Sequence, residues 1–254
     1  MTGGAARADH VALAARIGAR ADALAARTLA RMYENPFWDA RFGERGRGFA
    51  AQDQRHHLRY LIIALRIGGP YTMTWYARWL QTVLTTRGMC SRHVDENFTR
   101  LAEAIVAEGI EEPDSALALL QAGREALRYQ VGPARAVQEA TVDLTDDTVS
   151  ALYARHPEWL ERWGEAGRTR CREDVTYHLS YLADGLALTR PDLFASYVGW
   201  IAGYLETLGI QRAHLAETLA ALQRASRHQL PVEHQTEILT VLAAGRDALR
   251  AEDR

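Results

Sequence analysis

Cys171, Asp174, His178 and Tyr181 bring a thiol, a carboxylate, an imidazole and a phenol into one short segment, at steps of three, four and three residues. At about 100° per residue on an α-helix these four fall in one stripe, beside a second stripe formed by Leu179, Leu182 and Leu186. The predicted inward face of this helix is therefore half polar and half apolar. A buried carboxylate is costly unless it accepts hydrogen bonds, so Asp174 in that position calls for donors. The polar stripe occurs a second time as Asp53, His57 and Tyr60, with Ala50 in the place of Cys171.

That recurrence is part of a larger one. A shift of 121 positions lays Pro36–Ala104 on Pro157–Ala225 without a gap and with roughly a third of positions identical. Pro36, Trp38, Gly43, Glu44, Gly46 and Arg47 return as Pro157, Trp159, Gly164, Glu165, Gly167 and Arg168. Tyr76, Trp79, Gly88, His93 and Glu96 return as Tyr197, Trp200, Gly209, His214 and Glu217. A period this long marks a duplicated domain rather than a short solenoid repeat. The two copies are assigned to residues 1–130 and 131–254, with the boundary region at Tyr129–Thr145 around Gly132 and Pro133.

The elements that must position these residues read as helices. Ala5–Glu34 and Asp146–Arg155 stop before Pro36 and Pro157. The helices carrying the polar stripe span about Gly48–Ile67 and Thr169–Leu188. They are followed by Tyr71–Arg87 (Asp192–Leu208), by Ser91–Glu108 (Arg212–His228), and by last helices reaching Arg128 and Arg250. Pro70/Pro191, Gly88/Gly209 and Gly109 with Pro113/Pro231 separate them. No segment alternates with the period of a half-buried strand.

Composition removes several functions. The 254 residues include no lysine, so all 30 basic residues are arginine. Schiff-base chemistry with pyridoxal phosphate or retinal and a Walker lysine are excluded, and an anion site has to be an arginine site. A formal charge of −2 argues against a dedicated nucleic-acid surface. No apolar run approaches the roughly 18 residues of a membrane span, and no membrane partner is expected. The arginine-bearing first thirty residues read as an amphipathic helix rather than a signal peptide, which predicts a cytoplasmic protein. Two cysteines, Cys90 and Cys171, do not make a disulfide framework.

Other constellations weigh less. His93/Glu96 and His214/Glu217 stand at i, i+3, the reverse of the Glu-x-x-His order of di-iron bundles, and read as charge pairs at a helix start. The glycines of Gly43–Gly48 follow no strand, so a dinucleotide loop fails its structural context. Plainer roles stand beside the sharper ones. Asp53 and Asp174 suit solvated or capping positions, His57 and His178 suit a core, the tryptophans and tyrosines suit packing, and Cys171 suits a buried thiol.

The spacing Cys171, Asp174, Tyr177, His178 and Leu179 resembles the cysteine, aspartate, aromatic pair and leucine of phycobiliprotein subunits, globin-fold proteins that hold a linear tetrapyrrole in place of haem. Leu152-Tyr153-Ala154-Arg155-His156-Pro157 and Tyr204-Leu205-Glu206-Thr207-Leu208-Gly209 resemble two further stretches of those proteins. The match covers most of Leu152–Gln223 and, through the repeat, Met32–Ala102. As a tandem duplication with an Asp/His/Tyr stripe, the chain looks like photoglobins, the allied non-haem globins often found with cobalamin-binding light-sensor domains.

The resemblance implies an all-α fold of two tandem globin-like, phycocyanin-like domains. It implies that Asp174 and Asp53 accept pyrrole N–H bonds, that Cys171 occupies the thioether position, and that Arg168, Arg170 and Arg172, or Arg47 and Arg55, hold propionates. Tyr177, His178, Tyr181, Tyr197 and Trp200, and His57, Tyr60, Tyr76 and Trp79 in the first copy, would then surround the ligand, with Tyr204 and Trp75 as further ring contacts. The family's arginine directly before the aspartate is Glu173 here and Gln52 in the first copy. Haem is disfavoured, because neither Tyr71–Arg87 nor Asp192–Leu208 contains the histidine of a proximal ligand. The expected function is a non-enzymatic sensor of light or ligand in signal transduction, binding biliverdin or a related bilin. It would pass its signal to a separate, for example cobalamin-binding, partner or through a homo-oligomer. The alternatives are a ligand-free globin-like interaction scaffold and, more remotely, a metal-dependent helical-bundle enzyme.

Overall fold

A computed structural model describes residues 2–251. Twelve helices account for nearly all of them, and the described residues include no strand. They are α1 (Thr2–Ala19), α2 (Ala21–Met32), α3 (Phe37–Ile67), α4 (Tyr71–Thr85), α5 (Ser91–Ala107), α6 (Asp114–Ala126), α7 (Gly132–Glu139), α8 (Thr141–Arg155), α9 (Glu158–Ala187), α10 (Pro191–Thr207), α11 (Arg212–Gln229) and α12 (Val232–Ala251).

Three elements differ from expectation. The single helix expected over Ala5–Glu34 is two, broken at Arg20, whose ψ of 11° leaves the helical region. The stripe-bearing helices begin about ten residues early, just after Pro36 and Pro157, and bend at Gly43 and Gly164. Both glycines sit near φ 60°, ψ −165°, a conformation open essentially to glycine alone. Finally, the Tyr129–Thr145 boundary region holds α7 and the start of α8.

The chain forms two compact units. The first contains residues up to Val83 together with His93–Leu127, and the second contains Leu84–Arg92 together with the residues from Arg128 onward. The simple cut at 130 therefore misses the turn between α4 and α5, which belongs with the second unit. Hydrogen bonding explains this. Inside the second unit the buried Asp184 carboxylate accepts the Ser91 backbone N–H at 2.7 Å, the Ser91 hydroxyl at 2.5 Å and the Tyr129 hydroxyl at 2.7 Å. Tyr181 donates its hydroxyl to the Gly88 carbonyl at 2.9 Å, and the Arg92 N–H donates to Ser180 Oγ at 3.2 Å.

In the first unit α1, α2 and α6 pack on α3; in the second α7, α8, α10 and α12 pack on α9, and α11 lies against α8 and α12. The inner half of α9 is buried almost continuously, from Tyr177 through Leu179 and from Tyr181 through Leu186. The duplicated sequence carries duplicated contacts. Trp38 meets His93 at 4.9 Å and Phe42 at 5.8 Å, while Trp159 meets His214 at 5.0 Å and Trp163 at 5.5 Å.

Candidate functional site

The second unit holds a half-open cavity of about 220 Å³ beside α9. One wall is the middle of that helix, where Gly167, Arg170, Cys171, Asp174, Val175 and His178 follow one another at helical spacing. Trp159 and Trp163, one turn apart ahead of the Gly164 bend, form an aromatic wall with Tyr153 of α8. The far side comes from α10, α11 and their turn, through Leu205, Ile210, His214, Leu215 and Thr218. Glycine is required at 167, because a Cβ there would come within 2.4 Å of the Trp163 Cβ.

Polar groups enter this apolar space at few points. Arg170 Nε lies 3.4 Å from Asp174 Oδ1 and its guanidinium also reaches Glu173 at 3.0 Å. Burial raises the Asp174 pKa to about 6, against the pull of Arg170 and with a further push from Glu173. Burial and the neighbouring Asp174 push the Cys171 thiol up to about 12, which keeps it in the thiol form at neutral pH. His178 Nδ1 shares a 2.8 Å hydrogen bond with Tyr197 Oη, and burial lowers the imidazole pKa to about 4. It is a neutral polar group at the cavity wall. His214 adds a buried Nδ1 that has no hydrogen-bond partner within the protein.

Of the residues expected around a ligand, the structure thus brings Arg170, Cys171, Asp174 and His178 to one cavity. Others do not line it. Arg172 is paired with Asp146, and Arg168 lies 5.6 Å over the Tyr153 ring. Tyr177 is buried beneath the Arg92 guanidinium at 5.2 Å. Tyr181 stacks on Tyr197 at 3.6 Å and turns its hydroxyl to Gly88, while Trp200 stacks on Tyr204 at 5.5 Å. No protein-family model matches the chain, and no curated protein does. The site is defined by its own residues.

The first unit repeats part of this arrangement. His57 Nδ1 and Tyr76 Oη are 2.7 Å apart, and Tyr60 stacks on Tyr76 at 3.9 Å. Asp53 is close enough for its charge to help raise the Tyr76 pKa, which burial raises first. Around the bend the two units differ. Arg170 and Cys171 correspond to Phe49 and Ala50, and Glu158 corresponds to Phe37, which stacks on His93 at 5.0 Å. Arg47 is held by Asp39 at 2.9 Å and covers the Tyr33 ring, Arg55 reaches Asp22 at 3.3 Å, and Trp79 is half-exposed.

Trp159, Trp163, Tyr153 and His214 are cavity residues that the sequence reading does not name as part of a site. Their signal was present for the tryptophans: Trp159 and Trp163 stand at i, i+4 and bracket a segment closed by a glycine. Glu217 was expected to pair along its own helix with His214. It instead accepts from His156 Nε2 at 2.5 Å across the unit, and the two groups shift one another, His156 upward and Glu217 downward. Among the described residues no group of three or more histidine, cysteine or carboxylate side chains is placed to hold a metal ion.

Proposed function

We propose that the second unit is a non-catalytic ligand-binding module of the photoglobin or phycobiliprotein kind, taking up a linear tetrapyrrole such as biliverdin and acting as a light or ligand sensor. The observation that carries this reading is the convergence of Cys171, Asp174 and His178 on one aromatic-walled cavity. Largely apolar pockets with a few converging polar groups are the usual form of a small-molecule site.

The donor set suits the group. Asp174, mostly ionised at neutral pH, accepts N–H bonds, and Arg170 beside it balances the charge or takes a carboxylate of the ligand. Trp159, Trp163 and Tyr153 supply flat apolar faces and exclude water. His178, fixed by Tyr197, stays neutral. A bound bilin would supply the visible absorption and photochemistry. Size sets a limit: pockets enclosing drug-sized ligands run roughly 300–1,000 Å³, so a 220 Å³ cavity takes part of a tetrapyrrole rather than its whole length. The protonated Cys171 thiol favours non-covalent binding over a thioether.

Titrating the protein with biliverdin while recording visible absorption and tryptophan emission tests the proposal. A shifted, saturable visible band with quenched emission is expected, weakened roughly tenfold or more in Asp174→Asn. An unchanged biliverdin spectrum rejects it. Zinc-induced fluorescence of the denatured band, lost in Cys171→Ala, would show covalent attachment instead. The second reading is a ligand-free interaction scaffold working with a separate signalling partner. The observation favouring it is that Asp174 already has a counterion in Arg170.

A further inference from the structure

The first unit carries a partly exposed aromatic row that lies outside the cavity of the second unit. Ile67 at the end of α3 is 70% exposed, and Tyr71, Trp75 and Trp79 on α4 are 78%, 49% and 47% exposed. The last three stand at i, i+4 and i+8, so they lie one above another along a single face. Trp75 and Trp79 stack with planes 10° apart and centroids 6.5 Å apart, and Tyr60 of α3 leans on Trp75 at 6.4 Å. Buried neighbours on the other side of α4, among them Met73, Tyr76, Ala77 and Leu80, already supply its core face. Trp79 rests its inner face on the buried Tyr76 at 6.0 Å, and the outer edges of the row are left uncovered.

Its charge is one-sided. Between Asp53 and Asp95 the chain has no acidic residue, although acidic residues outnumber basic ones overall. Arg59 and Arg66 adjoin Tyr60 and Ile67 in α3, and Arg78 adjoins Trp79 in α4. All three are exposed, and no salt bridge holds them among the described residues. The duplicate acts as an internal control. In the second copy Tyr71 and Trp75 become Asp192 and Ser196, while Arg59, Arg66 and Arg78 become Ser180, Ala187 and Gly199. Trp79 is kept as Trp200, so the second copy forms the same helix pair without Tyr71, Trp75 and the three arginines.

We infer that this face docks an acidic amphipathic helix of a partner protein. The partner's apolar side chains would lie along Tyr71, Trp75 and Trp79, and its carboxylates would meet Arg59, Arg66 and Arg78. Charge selects the occupant. A second copy of the chain placing the same face against this one would oppose arginine to arginine, whereas acidic flanks on an apolar stripe complement both features. The inference is independent of the cavity and holds whatever that cavity binds.

The probe is a synthetic peptide of about 18 residues with leucine at i, i+3, i+4 and i+7 spacing and glutamate elsewhere, titrated into the full chain with tryptophan emission and heat as readouts. Saturable binding that weakens with salt is expected. The Trp75→Ala/Trp79→Ala and Arg66→Ser/Arg78→Ser pairs should each reduce affinity at least roughly tenfold. Both variants should keep the parent's circular dichroism, and the exposed arginine pair, which touches no salt-bridge partner among the described residues, should also keep its thermal midpoint. Absence of binding, equal binding of the peptide with lysine for glutamate, or unchanged affinity in both variants overturns the inference. So does a tryptophan-dependent self-dimer on sedimentation, or binding to phosphatidylserine vesicles without binding to the peptide.

Discussion

His178 Nδ1 and Tyr197 Oη lie 2.8 Å apart, and 121 positions earlier His57 Nδ1 and Tyr76 Oη lie 2.7 Å apart. In both units the tyrosine also stacks on a second tyrosine one turn beyond the histidine, Tyr181 or Tyr60. The recurrence makes the pair part of the shared framework. Only the second copy places its histidine at the wall of the described cavity.

Tyr76→Phe and Tyr197→Phe should each destabilise the chain by about 1–3 kcal/mol, because each leaves a buried imidazole nitrogen without its partner. Urea unfolding of the two variants beside the parent measures this. Of the two, only Tyr197→Phe should also alter biliverdin affinity. Equal effects of both on the ligand would place the binding elsewhere.

Acid stability is set by opposing groups. His57 and His178, lowered by burial to about 3 and about 4 from an ordinary 6.5, take up protons more readily when unfolded. Their contribution is full above pH 6.5 and is lost as the pH falls, toward about 4 for His178 and about 3 for His57. Asp174 and Asp184, raised by burial to about 6 from 3.8, act in the opposite sense: stability is gained as acid protonates them and is missing above about pH 6. The two trends largely offset between pH 6 and 4. Asp174→Asn combined with Asp184→Asn should remove the offset, so urea midpoints at pH 7, 5.5 and 4.5 should fall more steeply than in the parent. A parallel profile would rule the carboxylates out as acid-stabilising groups.

Neither thiol should react readily in the native chain. Cys90 is fully buried, and Cys171 is held protonated by burial and by Asp174. With an aromatic disulfide reagent at pH 8, native protein should release chromophore slowly, and urea-unfolded protein should release two equivalents at once. Rapid reaction of a single native thiol, absent in Cys171→Ala, would show an activated cysteine and revive covalent attachment.

The bends at Gly43 and Gly164 should not tolerate a side chain. A Cβ at Gly164 would meet nothing within 4 Å, so Gly164→Ala isolates the backbone strain, about 1–3 kcal/mol. Gly203 lies inside α10 with equally open space, and Gly203→Ala should stabilise by roughly 0.4–1 kcal/mol. Thermal midpoints moving in opposite directions would confirm the contrast.

Helix type, the duplication at an offset of 121 residues and the inward polar stripe of α9 were legible in the chain because they are local or periodic. Apolar spacing, prolines that stop a preceding helix and matching tryptophans need no knowledge of distant partners. The stripe did locate Cys171, Asp174 and His178 on one wall. It did not show that Tyr181 leaves that wall, since the carbonyl of Gly88 that captures its hydroxyl lies 93 residues away in sequence.

The rest depended on contacts between remote segments. Linear order assigns residues 84–92 to the first copy, but Asp184, once buried, needs the donors of Ser91 and Tyr129, and satisfying it draws that turn into the second unit. The arginines expected at the ligand were likewise interchangeable in sequence. Folding engaged Arg168 with Tyr153 and Arg172 with Asp146, and left Arg170 at the cavity wall beside Asp174. Periodicity specified which face of each helix turns inward. Which charges met a partner there depended on distances between helices, which no spacing along one chain encodes.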